Sequence, residues 1–193
     1  AAGSGAEVER EVVRALMTLR LATLATGRTG VRPEVATTYA AMLTAGITPV
    51  VHEYGSLGCS GDLAPLAHCA LAAMGEGPVR LSDGTPSDSA AALEAHGIPP
   101  IELREKEGLA LINGTDGMLG MLCLAIADLR ALLRVADIAA AMSIEGLLGT
   151  DDVLAADLQA LRPQPGQGIS AANIRTVMAD SPIRHSHDTE DCP

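Results

Sequence analysis

Thr115 to Leu148 reads TDGMLGMLCLAIADLRALLRVADIAAAMSIEGLL, a run without proline in which apolar residues return every three or four positions. Met118, Leu122, Ile126, Leu129 and Leu133 share one face, Leu119, Cys123, Leu132 and Ile138 add others, and the charged stripe of Arg130, Arg134 and Asp137 is narrow. At 1.5 Å per residue the run makes a rod of about 50 Å. A helix that is apolar over most of its circumference is expected to lie buried among several neighbours. The run therefore predicts a mainly α fold, a long-helix bundle.

The rest of the chain agrees. Hydrophobic residues make up 48%, enough for a sizeable core, yet there is no Phe, no Trp and only two Tyr. Ala and Leu must fill that core, which favours helices packed closely on one another. Ser4-Gly5-Ala6-Glu7 has the form of a capping box. Val8, Val12, Leu16, Leu19 and Leu24 follow at helical spacing, predicting a first helix that ends near Thr26-Gly27. A second is expected from Pro33 to Gly46 and a third from Leu63 to Met74, joined by a connection over 47–62. Residues 75–100 read as a surface excursion with a short helix near Ala90–Ala95, and two shorter helices are expected near 151–160 and 167–179, with no strand series.

The net charge of −11 argues against nucleic acid or an anionic membrane as partner. No apolar run is long enough to span a bilayer, no signal-peptide pattern is present, and Cys59, Cys69, Cys123 and Cys192 form no C-x-x-C pair. A cytoplasmic protein with reduced thiols is the expectation. Neither Ala1 nor Pro193 reads as a natural domain edge, so the chain is expected to be the central part of a single helical domain, truncated at both ends.

The string GSLGCSGDLAPLAH, Gly55 to His68, carries the chemistry. It lacks the Lys and Ser/Thr of a phosphate loop, and Asp62 stands where a nucleophile elbow needs Gly. Taken alone it suits a Gly-rich turn leading into a helix, with Asp62 as N-cap and Pro65 in the first turn. The same residues suit a backbone cyclisation. The Gly61 nitrogen attacks the Cys59 carbonyl carbon and closes a five-membered ring. Loss of one water from the ring, and of the Ser60 hydroxyl as a second, leaves an exocyclic methylene conjugated to it. Gly61 has no Cβ to block the compressed geometry, and Gly58 loosens the approach. Cys59 contributes only its Cα and carbonyl, so its side chain is nearly free to vary. The positive end of the helix after Asp62 points at the ring and favours negative charge developing there.

This string closely resembles the signature of the aromatic amino-acid ammonia-lyases and aminomutases, which carry the 4-methylidene-imidazol-5-one (MIO) prosthetic group. The family's usual triad is Ala-Ser-Gly, and Cys59-Ser60-Gly61 departs from it at the tolerant first position. Lys106 to Thr115, KEGLALINGT, resembles the family's second signature, placed just before its long central helix. Asn113 matches the Asn that contacts the prosthetic group and substrate. Weaker resemblances cover Gly27 to Pro33 and Arg162 to Gln167, the latter with Gln164 where the family commonly has His.

The resemblance implies a carbon–nitrogen lyase with the MIO loop at a helix N-terminus, and no metal. Ala64 to His68, APLAH, is more similar to the histidine-specific members than to the plant phenylalanine enzymes, which implies elimination of ammonia from L-histidine to give urocanate. The β-proton is barely acidic and ammonia leaves poorly, so an electrophile on the amine and a base for the proton are both needed. Cys59, Ser60 and Gly61 would form the electrophile and Asn113 would orient it. Asp62 would assist the dehydration or cap the helix. His68 is either a supporting residue or a hydrogen-bonded core histidine, and Tyr54 either lines the substrate site or packs. Tyr39 reads as core. The family's catalytic Tyr base has no match here, so the isolated chain is expected to be inactive. Members are homotetramers, with sites shared among subunits.

Three other functions stay open. The same machinery serves phenylalanine or tyrosine ammonia-lyases and aminomutases. The chain could instead be an inactive helical assembly module. His185, His187 and Cys192 with Asp188, Glu190 and Asp191 could suggest a metal site, but their spacing fits no zinc template and reads as a solvated tail.

Overall fold

The computed structural model describes residues 3–57 and 61–188, which fall into two compact units, residues 1–125 and 126–193. At the start of the first unit a strand replaces the expected capping box. β1 (Ser4–Glu7) pairs antiparallel with β3 (His52–Tyr54), and the Val8 amide continues the pairing onto the Val51 carbonyl at 2.9 Å. Gly5 takes φ +89°, a left-handed value suited to glycine.

The first helix, α1 (Arg10–Ala25), therefore begins later, with Glu9 in the cap position. Its buried face is Val13, Leu16, Met17, Arg20 and Leu24, one position round from the expected stripe. Helix α2 (Pro33–Ala45) starts on a proline, whose missing N–H is no loss at that position, and stops at Gly46 in the left-handed conformation. Helix α3 (Leu63–Ala73) is the expected third helix, within a residue of its expected end.

Residues 75–100 are more than a surface excursion. β2 (Thr48–Pro49), β4 (Pro78–Arg80) and β5 (Pro86–Asp88) form a small antiparallel sheet, followed by α4 (Ser89–Ala95). Val79, Leu93 and Ile98 from this stretch join Leu16, Met17, Tyr39, Met42 and Leu66 in one core. Tyr39 is its one buried aromatic among the described residues, as expected, and burial holds its phenol well above the usual range.

Helix α5 (Glu107–Ile112) leads through Asn113 into α6 (Asp116–Gly146), the long rod expected from Thr115–Leu148. Much of its apolar surface stays exposed among the described residues. Leu122, Leu129, Leu132, Leu133 and Val135 are each more than half exposed. The periodicity specified the helix correctly, but no described residue covers these side chains.

In the second unit, α7 (Ala156–Ala160) and α8 (Pro165–Met178) follow a 3-10 turn over Asp152–Leu154. Ala141, Ile174 and Met178 make a small core there. The tail read as solvated is partly structured: α9 (Pro182–His185) places Arg184, only 8% exposed, in ion pairs with Asp151 and Asp188. His185 also bonds Asp188, at 2.9 Å. Among the described residues no group of His, Cys, Asp and Glu is arranged to hold a metal, and no helix is long and apolar enough to cross a membrane. Cys192 lies outside the described residues.

Candidate active site

Gly58, Cys59 and Ser60 lie outside the described residues, so the site is built from what flanks them. Gly61 is buried, and a Cβ there would sit 2.7 Å from Leu63 Cγ, so a side chain would have to displace Leu63. Asp62 follows, fully buried. It occupies the N-cap position of α3, yet its carboxylate makes no cap bond to that helix. Instead Oδ2 accepts the backbone N–H groups of Gly117 at 2.7 Å and Met118 at 3.1 Å, in the first turn of α6. Oδ1 accepts the Ser56 hydroxyl at 2.5 Å. The Asp62 N–H donates to the Gly114 carbonyl at 2.8 Å.

Asp62 thus ties three pieces together: the segment before the triad, the start of α3 and the start of α6. The positive ends of two helices converge on it, which favours a carboxylate there and an anionic centre beside it. Gly117 permits the approach, since a Cβ on it would lie 3.1 Å from Asp62 Oδ2.

Asn113 stands one residue before the Gly114 carbonyl that Asp62 holds, so the two signature motifs meet in space. Its side chain is exposed and lines an open cleft of about 290 Å³ with Thr29, Gly30, Lys106, Leu109 and Ala110. Lys106 takes φ +68°, an unusual value for a residue with a Cβ and a local store of strain. A second pocket, against Ser56 and Asp62, holds only about 50 Å³ and is too small for an amino acid.

The remaining expected residues are scattered. Tyr54 is 67% exposed on β3 and lies against Gly5, apart from the Asn113 cleft. His68 is half-buried on α3. Its Nε2 is buried without a partner among the described residues, and its ring meets that of His52 edge-on at 5.7 Å. Burial, and then His52, lower its pKa.

Three charged residues were missed. Arg20, 2% exposed, donates to the Asn113 carbonyl at 3.0 Å and lies 3.5 Å from Asp116. Burial pushes the Asp116 carboxyl up, against the pull of Arg20. Glu107 accepts from the Arg32 guanidinium at 2.9 Å and from the backbone of Arg32 at 3.0 Å and Arg104 at 2.8 Å. These bonds fasten the Gly27–Pro33 loop to the Lys106–Thr115 motif, and they hold the Glu107 carboxyl down at about 2. The signal for Arg20 was present: a charge at a core position of the α1 repeat.

The aromatic amino acid lyase family model matches residues 1–192. The chain belongs to the aromatic amino acid lyase family. Over all 193 residues it is 66% identical to a histidine ammonia-lyase from Streptomyces griseus, of which it covers 37%. In structure it is similar to the phenylalanine aminomutase of Pantoea agglomerans, with a TM-score of 0.89 and 35% identity over 95% of this chain and 35% of that one. It is also similar to a histidine ammonia-lyase from Trypanosoma cruzi, with a TM-score of 0.85 and 35% identity over 90% of this chain and 34% of that one. The chain spans little more than a third of the length of the curated relatives it matches. Lyases and aminomutases of this family generally use the MIO group.

Proposed function

We propose that the chain is the central part of a longer helical lyase subunit that eliminates ammonia from L-histidine to give urocanate. The observation that carries this is the pair of bonds from Asp62 to Gly114 and Gly117, at 2.8 and 2.7 Å, which join the triad-bearing turn to the Asn113 motif. The residues present suit the MIO group. The described end of the triad is a buried glycine, and the next residue is anchored to two helices. Cys59, Ser60 and Gly61 would form the group, which would supply an electrophile for the substrate amine. Asp62 holds the turn in place, and Asn113 faces the cleft in which the amino acid is oriented. The 66% identity to the Streptomyces griseus relative supports histidine as substrate. A second reading, as an aminomutase, draws on the similarity to the Pantoea agglomerans structure.

The exposed apolar surface of α6 supports assembly into a homotetramer in which several copies of this helix cover one another. The catalytic base is supplied from outside these residues, because Tyr39 is core and Tyr54 lies apart from the cleft.

Intact mass tests the cyclisation. A deficit of two waters mapping to residues 58–62, and absent in Ser60→Ala, is expected. A well-folded chain of unmodified mass would refute it. The isolated chain is expected not to turn over histidine, so urocanate formed by it would overturn the assignment of the base.

A further inference from the structure

We propose that Arg20 is a positioning residue for Asn113, an inference that rests on the lyase reading above. On the apolar face of α1, beside Val13, Leu16, Met17 and Leu24, a hydrophobic residue would be the inexpensive choice. Burying a guanidinium costs several kcal/mol unless it is well paired. The ion pair with Asp116 is long at 3.5 Å, and Arg20 Nε has no partner among the described residues.

The best bonds of Arg20 go to backbone. Its Nη1 donates to the Asn113 carbonyl at 3.0 Å and the Ala110 carbonyl at 3.4 Å, and Nη2 donates to the Asn113 carbonyl at 3.4 Å. Those carbonyls end α5, where no further helical turn satisfies them. Asp116 opens α6, so one planar fork spans the break between the helices.

The next carbonyl, that of Gly114, is held by the Asp62 N–H at 2.8 Å. Two successive carbonyls are therefore held from two different elements. Peptide units are planar, so these two bonds set the planes that follow Asn113, and the Ala110 carbonyl, held by the same guanidinium, restrains the chain that precedes it; held on both sides, the Asn113 Cα has little freedom to redirect its side chain. The fit is close on the inner side, where a Cβ at Gly114 would lie 3.0 Å from Arg20 Nη1. Arg20 does not itself line the cleft and reaches it only through the Asn113 and Ala110 carbonyls.

The test has two arms. In the 193-residue chain, amide hydrogen exchange is followed in Arg20→Met at Asp62, whose N–H bonds Gly114, and at Ile101, whose N–H bonds Ala73. Faster exchange at Asp62 with little change at Ile101 is expected. Equal acceleration at both sites, or none, overturns the inference. In the second arm these 193 residues replace the matching segment of the full-length Streptomyces griseus relative, and a double-mutant cycle with Asn113→Ala is measured. Arg20→Met should lower kcat about tenfold or more with little change in KM, the scale expected when a reacting geometry is misplaced. In the Asn113→Ala background it should cost little more. Arg20→Lys should fall between, because an ammonium cannot span both carbonyls and Asp116. Independent, multiplying losses or a kcat within about twofold of the parent would overturn the inference. Should Arg20→Met fail to fold, Arg20→Lys carries both readouts. A parent chimaera with neither urocanate formation nor the two-water deficit would sink the lyase reading, while the exchange arm would still judge Arg20.

Discussion

Asp62 Oδ2 accepts the Gly117 N–H at 2.7 Å across 55 residues of sequence, so the residue after the Cys59-Ser60-Gly61 triad caps the helix that follows Asn113. An N-cap normally serves its own helix. Here the carboxylate sits at the start of α3 and serves α6, which couples Ser56 and the start of α3 to the segment that carries Asn113. Damage to either side should be felt on the other.

Asp62→Ala removes acceptors from Gly117, Met118 and Ser56. Loss of a cap costs about 1 kcal/mol and up to about 2, and the newly buried unpaired N–H adds to it. We expect a chain less stable by about 2 kcal/mol in urea unfolding, with the two-water mass deficit largely lost. Asp62→Asn, which can still cap, should recover most of the stability. A destabilised Ala variant with a full mass deficit would separate the cap from the maturation.

Gly117 and Gly168 give opposite expectations for one substitution. Ala is favoured over Gly in a helix by about 1 kcal/mol. A Cβ at Gly117 would meet Asp62 Oδ2 at 3.1 Å, Asp62 Cγ at 3.2 Å and Leu16 Cδ1 at 3.3 Å, and Asp62 is pinned by its own bonds. Overpacking there, at about 1–3 kcal/mol, outweighs the helix gain. Nothing lies within 4 Å of a Cβ at Gly168 in α8. Gly117→Ala should therefore lower the midpoint of urea unfolding, and Gly168→Ala should raise stability by about 0.5–1 kcal/mol.

Much of this was legible in the sequence. Period, proline and glycine placed α2, α3 and α6 within a residue or two, because those signals are local. The Ser4–Glu7 box failed because strand pairing with His52–Tyr54, a contact nearly fifty residues away, overrode it. Position 62 read equally well as a cap for α3, and only the fold shows which helix it serves. Arg20 is a single charge in an apolar pattern and Glu107 ends a run of four charged residues, Arg104 to Glu107, and neither setting tells which carbonyl or guanidinium will meet it. The exposure of Leu129 and Leu133 was unreadable for a different reason: periodicity tells which face is apolar and says nothing of which chain covers it.

The Arg32–Glu107 pair should impart a defined acid sensitivity. The arginine's hydrogen bonds hold the Glu107 carboxyl at about 2, against an ordinary value of 4.5. A carboxylate whose folded pKa is depressed contributes stability that is complete above its unfolded value and is lost as pH falls toward its folded one. The stabilisation should therefore be full above about pH 4.5 and fade between there and about pH 2. Glu107→Gln should destabilise the chain at neutral pH, since it removes the negative charge to which the Arg32 guanidinium and two backbone N–H groups are bonded. The gap to the parent should close as the pH is lowered through that window. Urea unfolding from pH 7 to pH 3 measures it, and a gap constant across the range would show that Arg32 does not hold Glu107 ionised.

Cys69 and Cys123 should differ sharply toward alkylation. Cys69 is fully buried on the inner face of α3, and burial pushes its thiol up to about 12. At pH 8 only about one in ten thousand such groups is a thiolate, the reactive form, whereas an ordinary thiol is ionised to the extent of about a quarter. Cys123 is exposed on α6. Iodoacetamide at pH 8 should label Cys123 within minutes and leave Cys69 untouched until urea unfolds the core, as read by peptide mapping. The same experiment reports on assembly. If copies of α6 cover one another in solution, Cys123 becomes protected in the assembled protein and labels freely only after dissociation, while Cys69 stays protected in both states. Fast labelling of Cys69 in the folded chain would mean that the α1, α2 and α3 core opens far more readily than its burial implies.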